Sequence, residues 1–278
     1  MHHSIWGNFL TRSKFFYMGS VTALILLLLL VLSRALPALA PIWLGCGIVM
    51  VVVFMALLVY GSSNLSFNYF IHSVSTLNTK PSESNHPARK SIALTFDDGP
   101  VAQSAQILDI LKKYDIKATF FLIGERVQKN PQLARRMINE GHSIGNHSYQ
   151  HGHLFNLKLT DGLRQEITQC NQAIYQHTGK NTSLFRAPHG VMTPHLAEAI
   201  QMTNMRSIGW NVRSFDTVIT DPDKLLLKIM NQLSDNCVVL LHDYPEVTAK
   251  ILPQLIENAH AQGYTFSVID DESNNSDQ

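Results

Sequence analysis

Cysteine is scarce in this chain, with three in 278 residues. Cys46 falls in an apolar run, Cys170 in a predicted helix and Cys237 in a predicted strand. They show no pairing pattern, so no disulfide framework is implied. Charge is also scarce: Lys, Arg, Asp and Glu make up 15% of the residues and sum to +1 at pH 7. No basic run interleaved with aromatics is present, which argues against nucleic acid as a partner. No segment repeats at a fixed period.

Long apolar runs, by contrast, dominate the first 60 or so residues and account for the low charge. Phe15 to Leu32 is one run and Pro41 to Tyr60 is a second. Each approaches the roughly 20 residues needed to cross a bilayer. A polar, proline-marked break, Ser33-Arg34-Ala35-Leu36-Pro37, separates them. A cleavable signal peptide is the competing reading. The length of the first run and the second run directly behind it favour two spans forming a transmembrane hairpin, hence a multi-pass protein of the cytoplasmic (inner) membrane. The predicted organisation is an anchor over 1–61, a Ser/Asn/Thr-rich linker over 62–90, one folded domain over 91–270 and a polar tail over 271–278.

Within the folded part, apolar strand-like runs at 91–97, 117–123, 142–146, 184–187, 206–212, 237–242 and 264–269 alternate with helical periodicity. The helices are expected at 103–113, 131–140, 161–177, 194–202, 222–233 and 245–262. Such alternation predicts βαβ units and an α/β fold, a distorted (β/α) barrel of about seven parallel strands. In that architecture the strand C-termini share one mouth, where active sites form.

Polar groups sit where those strands end. Thr95-Phe96-Asp97-Asp98-Gly99-Pro100 closes the first strand with two adjacent carboxylates, which repel each other unless a cation is shared. An Asp-Asp-Gly-Pro segment is also good turn chemistry in its own right. His147 and His151 are four apart, so a single helical turn would put both rings on one face. With Asp98 they make a His₂-carboxylate set that leaves positions open for water and substrate, as a catalytic metal site requires. Its donors suit Zn²⁺, and also Co²⁺, Ni²⁺ or Fe²⁺. His142 and His153 are read as solvated or strand-edge residues. Arg186, Trp210 with Asp216, and His242 end further strands. Singly, these three fit an exposed ion pair, a core ring and a satisfied strand-end imidazole. Jointly, they describe an assembled site.

The order Thr-Phe-Asp-Asp-Gly-Pro, His-Ser-x-x-His, Arg-x-Pro-x-Gly, Trp…Asp and Leu-Leu-His-Asp resembles the polysaccharide deacetylases, the NodB-homology or carbohydrate esterase family 4 enzymes. The resemblance runs from about Ser91 to about Asp270. It implies metal-dependent removal of an N-acetyl group from an amino sugar in a glycan. It also implies Asp98, His147 and His151 as metal ligands, Asp97 as general base, and Arg186 as the partner that orients Asp97. His242 would be the general acid, held by Asp216. Substrate contacts would come from Pro188, His189 and Gly190, with a backbone N–H near His189 serving the oxyanion. Leu240 would line the acetyl slot, and Trp210 would supply part of an aromatic wall or remain in the core.

Three positions depart from the family pattern. His189 stands where Tyr is frequent, Arg213 where an acidic residue is common, and Thr217 where Trp is common. These bear on the shape and charge of the groove more than on catalysis. Membrane side stays open: Arg12 and Lys14 flank the first span and Arg34 sits in the loop, a balance that leans weakly toward a cytoplasmic domain, while a glycan substrate leans outward. Two other functions compete with N-deacetylation of a glycan. One is deacylation or deformylation of a lipid-linked sugar or other small amide. The other is non-catalytic glycan binding, disfavoured because the whole motif set is present.

Overall fold

The structure is a computed structural model and describes residues 21–63, 68–77 and 90–269. The start of the first apolar run, Arg12, Lys14 and the predicted tail lie outside the described residues. Helix α1 runs from Val21 to Ala35, and α2 covers Ala40–Ser63. With the short turn before it, α2 makes a 27-residue apolar segment, Pro37–Ser63, in which an 18-residue stretch has a mean hydropathy of 2.8. At 1.5 Å per residue α2 is about 36 Å long, enough to cross a hydrocarbon core of about 30 Å. It is the one described helix that is long and apolar enough to do so.

Eight strands follow: β1 (Lys90–Gly99), β2 (Thr119–Leu122), β3 (Ser143–Asn146), β4 (Leu184–Phe185), β5 (Arg206–Ser207), β6 (Val212–Arg213), β7 (Cys237–His242) and β8 (Tyr264–Phe266). The intervening helices are α3 (Ser104–Lys113), α4 (Gly124–Lys129), α5 (Pro131–Asn139), α6 (Thr160–Thr178), α7 (Pro194–Met202), α8 (Pro222–Met230) and α9 (Glu246–Ala261). The sheet order is β5-β4-β3-β2-β1-β7-β6, with β8 pairing to the start of β1. Every ladder is parallel. This parallel α/β sheet is consistent with the expected distorted barrel, and no ladder joins β5 to β6 among the described residues.

Period-two alternation in β1 sorts its side chains between two environments. Ile92, Leu94 and Phe96 join the layer packed under the helices. Ala93 faces the barrel interior with Phe121, Leu184, Ile208 and Val238. Thr95 and Asp97 continue that inner face upward, so the interior changes from apolar to polar toward the strand ends. Gly145 is part of this arrangement, because a Cβ there would come within 2.6 Å of the Phe121 ring.

Several sequence expectations change. The strand expected at 206–212 is two short strands. Ile208 N–H still donates to Phe185 O, whereas Asn211 N–H donates to Val238 O, so the chain crosses from the β4 side to the β7 side of the opening. Helix α4, six residues long, is too short to register as periodicity. Part of the expected linker is also built into the domain. Phe70, Ile71 and Ser73 are buried, and Val74 and Thr76 bridge to Ile208 and Cys237 across the gap in the barrel. His142, expected as a solvated or strand-edge residue, directly precedes β3 and is buried rather than solvated; its Nδ1 accepts from Ala118 N–H at 3.1 Å.

Candidate active site

Asp97 and Asp98 leave β1 in different directions because Asp98 has a φ of +74°. Asp97 is 3% exposed and faces Arg186, which has no exposed surface at all. Arg186 Nη1 donates to Asp97 Oδ1 and to Thr95 Oγ1, each at 2.7 Å, and Nη2 donates to Gly209 O at 3.0 Å. Its guanidinium lies 4.1 Å from the Phe121 ring centroid and 5.6 Å from that of Trp210. An exposed ion pair is therefore ruled out for Arg186. Burial raises the Asp97 carboxyl above the usual carboxylate range, and the Arg186 charge and hydrogen bond oppose that rise.

Asp98 turns toward two imidazoles. His147 Nε2 lies 3.6 Å and His151 Nε2 3.5 Å from Asp98 Oδ1. The three ligand atoms all fall within 4.8 Å of one another. Ligands bonded to Zn²⁺ at 2.0–2.1 Å in a tetrahedron stand about 3.3 Å apart, so the set fits a cation of that kind. Two further features agree. Asp98 Oδ1 is buried without a hydrogen-bond partner, and burial holds both imidazoles below the usual histidine range, in the neutral form that ligates. His147 Nδ1 is 2.9 Å from Arg186 O, which fixes the proton on Nδ1 and leaves the Nε2 lone pair free.

The two histidines do not share a helical turn. They flank a loop in which Ser148 and His151 both have positive φ. Side chains hold that loop. Asn146 Oδ1 accepts from Ser148 N–H, and Ser148 Oγ from His151 N–H. Glu166, buried on α6, accepts from Tyr149 N–H at 2.9 Å and from Gln150 N–H at 2.8 Å. The spacing of four is thus met by a loop, whose conformation depends on a carboxylate supplied 15 residues beyond His151 in sequence.

His242 ends β7 and is the register partner of Asp97 on β1. Its Nδ1 lies 2.9 Å from Asp216 Oδ1, and its own N–H donates to Asp216 Oδ2 at 2.7 Å. Ser214 and Thr248 hydroxyls also donate to Asp216. Burial acts to lower the His242 imidazole, but the Asp216 carboxylate, joined by Asp97 and Asp98, outweighs it and the net shift is upward. Asp97, Asp98, His147, His151, Arg186, Asp216 and His242 thus meet at the strand C-termini, as their sequence positions imply.

The residues expected at the substrate are placed as follows. Pro188, His189 and Gly190 form a tight turn after β4, with His189 at φ +59°. The His189 ring packs edge-on to His151, with centroids 4.5 Å apart. Leu240 is buried in β7, two residues before His242. Trp210 packs against Arg186 and against Gly190, where a Cβ would come within 2.7 Å of its ring. Arg213 stacks on Phe215 at 4.5 Å.

Sequence reading gave no role to Thr95 or Asp243, which lie within the quoted motifs, and overlooked Glu166, Ser104 and Arg126. Asp243 follows His242 directly and is 1% exposed. Burial pushes its carboxyl up to about 7, opposed by a hydrogen bond from Ser104. Its place beside His242 is the one signal that could have drawn attention to it.

Comparison with known proteins agrees with this geometry. A family model described as polysaccharide deacetylase matches residues 84–208. The peptidoglycan-N-acetylglucosamine deacetylase PgdA of Listeria monocytogenes is 34% identical over 183 residues, covering 66% of this chain and 38% of that protein. The peptidoglycan-N-acetylmuramic acid deacetylase PdaC of Bacillus subtilis is 37% identical over 188 residues, covering 67% and 39%. This chain therefore matches less than half the length of either relative. A solved structure of PdaC is 34% identical with a TM-score of 0.62, covering 66% of this chain and 90% of that one. A CE4 family pseudoenzyme from Bacillus anthracis is 31% identical with a TM-score of 0.60, covering 66% and 65%. The matching sequence, sheet and motif order together mean that this chain belongs to the polysaccharide deacetylase family.

Proposed function

We propose that this protein is a membrane-anchored, metal-dependent N-deacetylase acting on N-acetylhexosamine units of a glycan, with Zn²⁺ as the cation. The observation that carries this reading is the convergence of Asp98, His147 and His151 beside a buried Asp97–Arg186 pair and a His242–Asp216 pair. The relatives named for peptidoglycan deacetylation support peptidoglycan as the glycan. The full set in one site supports an enzyme over a non-catalytic binding module. Helix α2 is the proposed anchor, with α1 as the other arm of a hairpin.

Asp98, His147 and His151 would hold the divalent cation, which when bound would supply Lewis acidity to the amide carbonyl and a lowered pKa to water. Asp97 takes the proton from the attacking water, its Oδ1 fixed by Arg186. Gly190 and Val191 return their N–H groups to Ala187 and Pro188, which leaves the His189 amide to donate to the developing oxyanion. His242, protonated, gives its proton to the nitrogen as the C–N bond breaks, releasing acetate and a free amine. Leu240 lines the slot for the acetyl methyl.

The test uses alkaline-washed membranes carrying the full chain, supplied with N-acetylglucosamine oligomers or peptidoglycan. Acetate release that stops with chelator and returns with Zn²⁺ is the expected result. Loss of the chain in the wash would remove the anchor, and chelator-resistant release would remove the metal. Acetate from neither glycan, with metal bound, would favour a lipid-linked or formylated sugar.

The acid role has its own signature in pH. His242 must be protonated to act, so activity falls as pH rises through its pKa, which Asp216 raises. Asp216→Asn should therefore move the alkaline limb of the kcat/KM profile to lower pH, with turnover at neutral pH down about tenfold or more. An unmoved limb would assign it to another group.

A further inference from the structure

The turn that carries Asp98 is gripped from several sides, and no part of the proposed chemistry uses those grips. Arg126 of α4 donates Nη1 to the Asp98 main-chain oxygen. Ile123 N–H donates to Gly99 O at 2.9 Å, and Asn130 Nδ2 to Pro100 O at 3.0 Å. Val101 N–H donates to Ser104 Oγ at 2.8 Å, and that hydroxyl donates in turn to Asp243 Oδ2. Ser104 is fully buried and Asp243 nearly so. A Cβ on Gly99 would overlap Asp243 Oδ2, so the carboxyl lies directly against the residue after Asp98. Asp243 N–H also reaches Asp97 O at 3.4 Å.

Two features show what this cluster is for. Asp98 holds a left-handed backbone conformation that a non-glycine residue avoids unless its surroundings impose it. Asp243 Oδ1 is buried with no hydrogen-bond partner, so the carboxyl is under-satisfied where it sits. A carboxyl kept in such a place contributes little through its own bonding. What it does supply is the acceptor that orients Ser104 and a wall against Gly99.

We propose that Asp243, acting through Ser104 and Gly99, is a positioning residue that sets Asp98 for cation binding, with Arg126 closing the opposite side of the same turn. The inference rests on Asp98 being a metal ligand. Asp243 is not among the proposed ligands Asp98, His147 and His151. It follows His242 on β7, so it ties the strand end that holds the acid to the turn that holds the ligand. Without it, the turn is free to relax toward a more ordinary φ, and the Asp98 carboxylate swings away from His147 and His151.

The test measures Zn²⁺ affinity of the full chain in detergent by competition with a chromophoric chelator, and the visible spectrum of the Co²⁺-loaded chain. Ser104→Ala and Asp243→Ala should each weaken Zn²⁺ by about 10- to 100-fold and alter the Co²⁺ spectrum. Asp243→Asn, which keeps an acceptor for Ser104, should recover part of the loss. Should Asp243→Ala fail to fold, Ser104→Ala decides alone, since it removes only one oxygen atom. Wild-type affinity and spectrum in a folded Ser104→Ala chain would overturn the proposal. Asp98→Ala is the control: if it binds Zn²⁺ as tightly as wild type, the metal reading itself fails and the positioning role falls with it.

Discussion

Arg186→Met is expected to destabilise the protein by about 3–5 kcal/mol, the usual cost of removing one partner from a buried ion pair. Arg186 has no exposed surface, and its guanidinium satisfies Asp97, Thr95 and the Gly209 carbonyl while stacking on Phe121. Methionine refills much of the volume but leaves Asp97 buried without its opposite charge. The deficit should also depend on pH. Burial already raises the Asp97 carboxyl in the folded state. A group raised in this way favours folding below its unfolded pKa, and that advantage is lost as pH rises through the folded value. Losing Arg186 raises Asp97 further, so the deficit should be largest near neutrality and shrink on acidification. Thermal melting of the full chain in detergent across pH checks this. A wild-type melting temperature at neutral pH would show that Arg186 is not the counter-charge the fold depends on.

Asp97→Asn should reduce kcat by about 10²- to 10⁴-fold, the range for loss of a general base. The amide oxygen still accepts from Arg186, so the side chain keeps its place while losing its ability to take a proton. Metal content should stay at the wild-type level, because the proposed cation ligands are Asp98, His147 and His151. The informative pattern is low turnover with full metal occupancy and little change in KM. Retained turnover would take Asp97 out of the base role, and loss of metal would make it a ligand. Together with Arg186→Met, this separates the chemical use of the Asp97 carboxylate from its structural cost.

Much of the fold was legible because strand and helix periods differ and the motifs fall at strand ends. The apolar run Ile92–Phe96 announces a buried strand, and its polar exit marks the mouth of a barrel. What was misread depends on contacts distant in sequence. The segment 206–212 is apolar enough for a single strand, but its backbone partners change from β4 to β7 midway. Residues 68–77 look like linker by composition, yet Val74 and Thr76 find partners at the open side of the barrel. The spacing of His147 and His151 suggests a helical turn, whereas Glu166 and Asn146 impose a loop.

The sequence by itself determined the chemistry available: which carboxylates, imidazoles and guanidinium exist, in what order, and that they sit at the ends of successive strands. Side-chain type and period-two alternation are local properties, so they can be read without coordinates. Tertiary structure decided how those groups share the work. Asp97 and Asp98 are neighbours of the same type, and only packing gives one to Arg186 and the other to two histidines. Likewise, Asp216 meets His242 because β6 lies beside β7, and Asp243 reaches Ser104 because β1 and β7 are paired. Those pairings bring together residues far apart in the chain, where burial raises the cost of every unpaired charge and so fixes which partners remain.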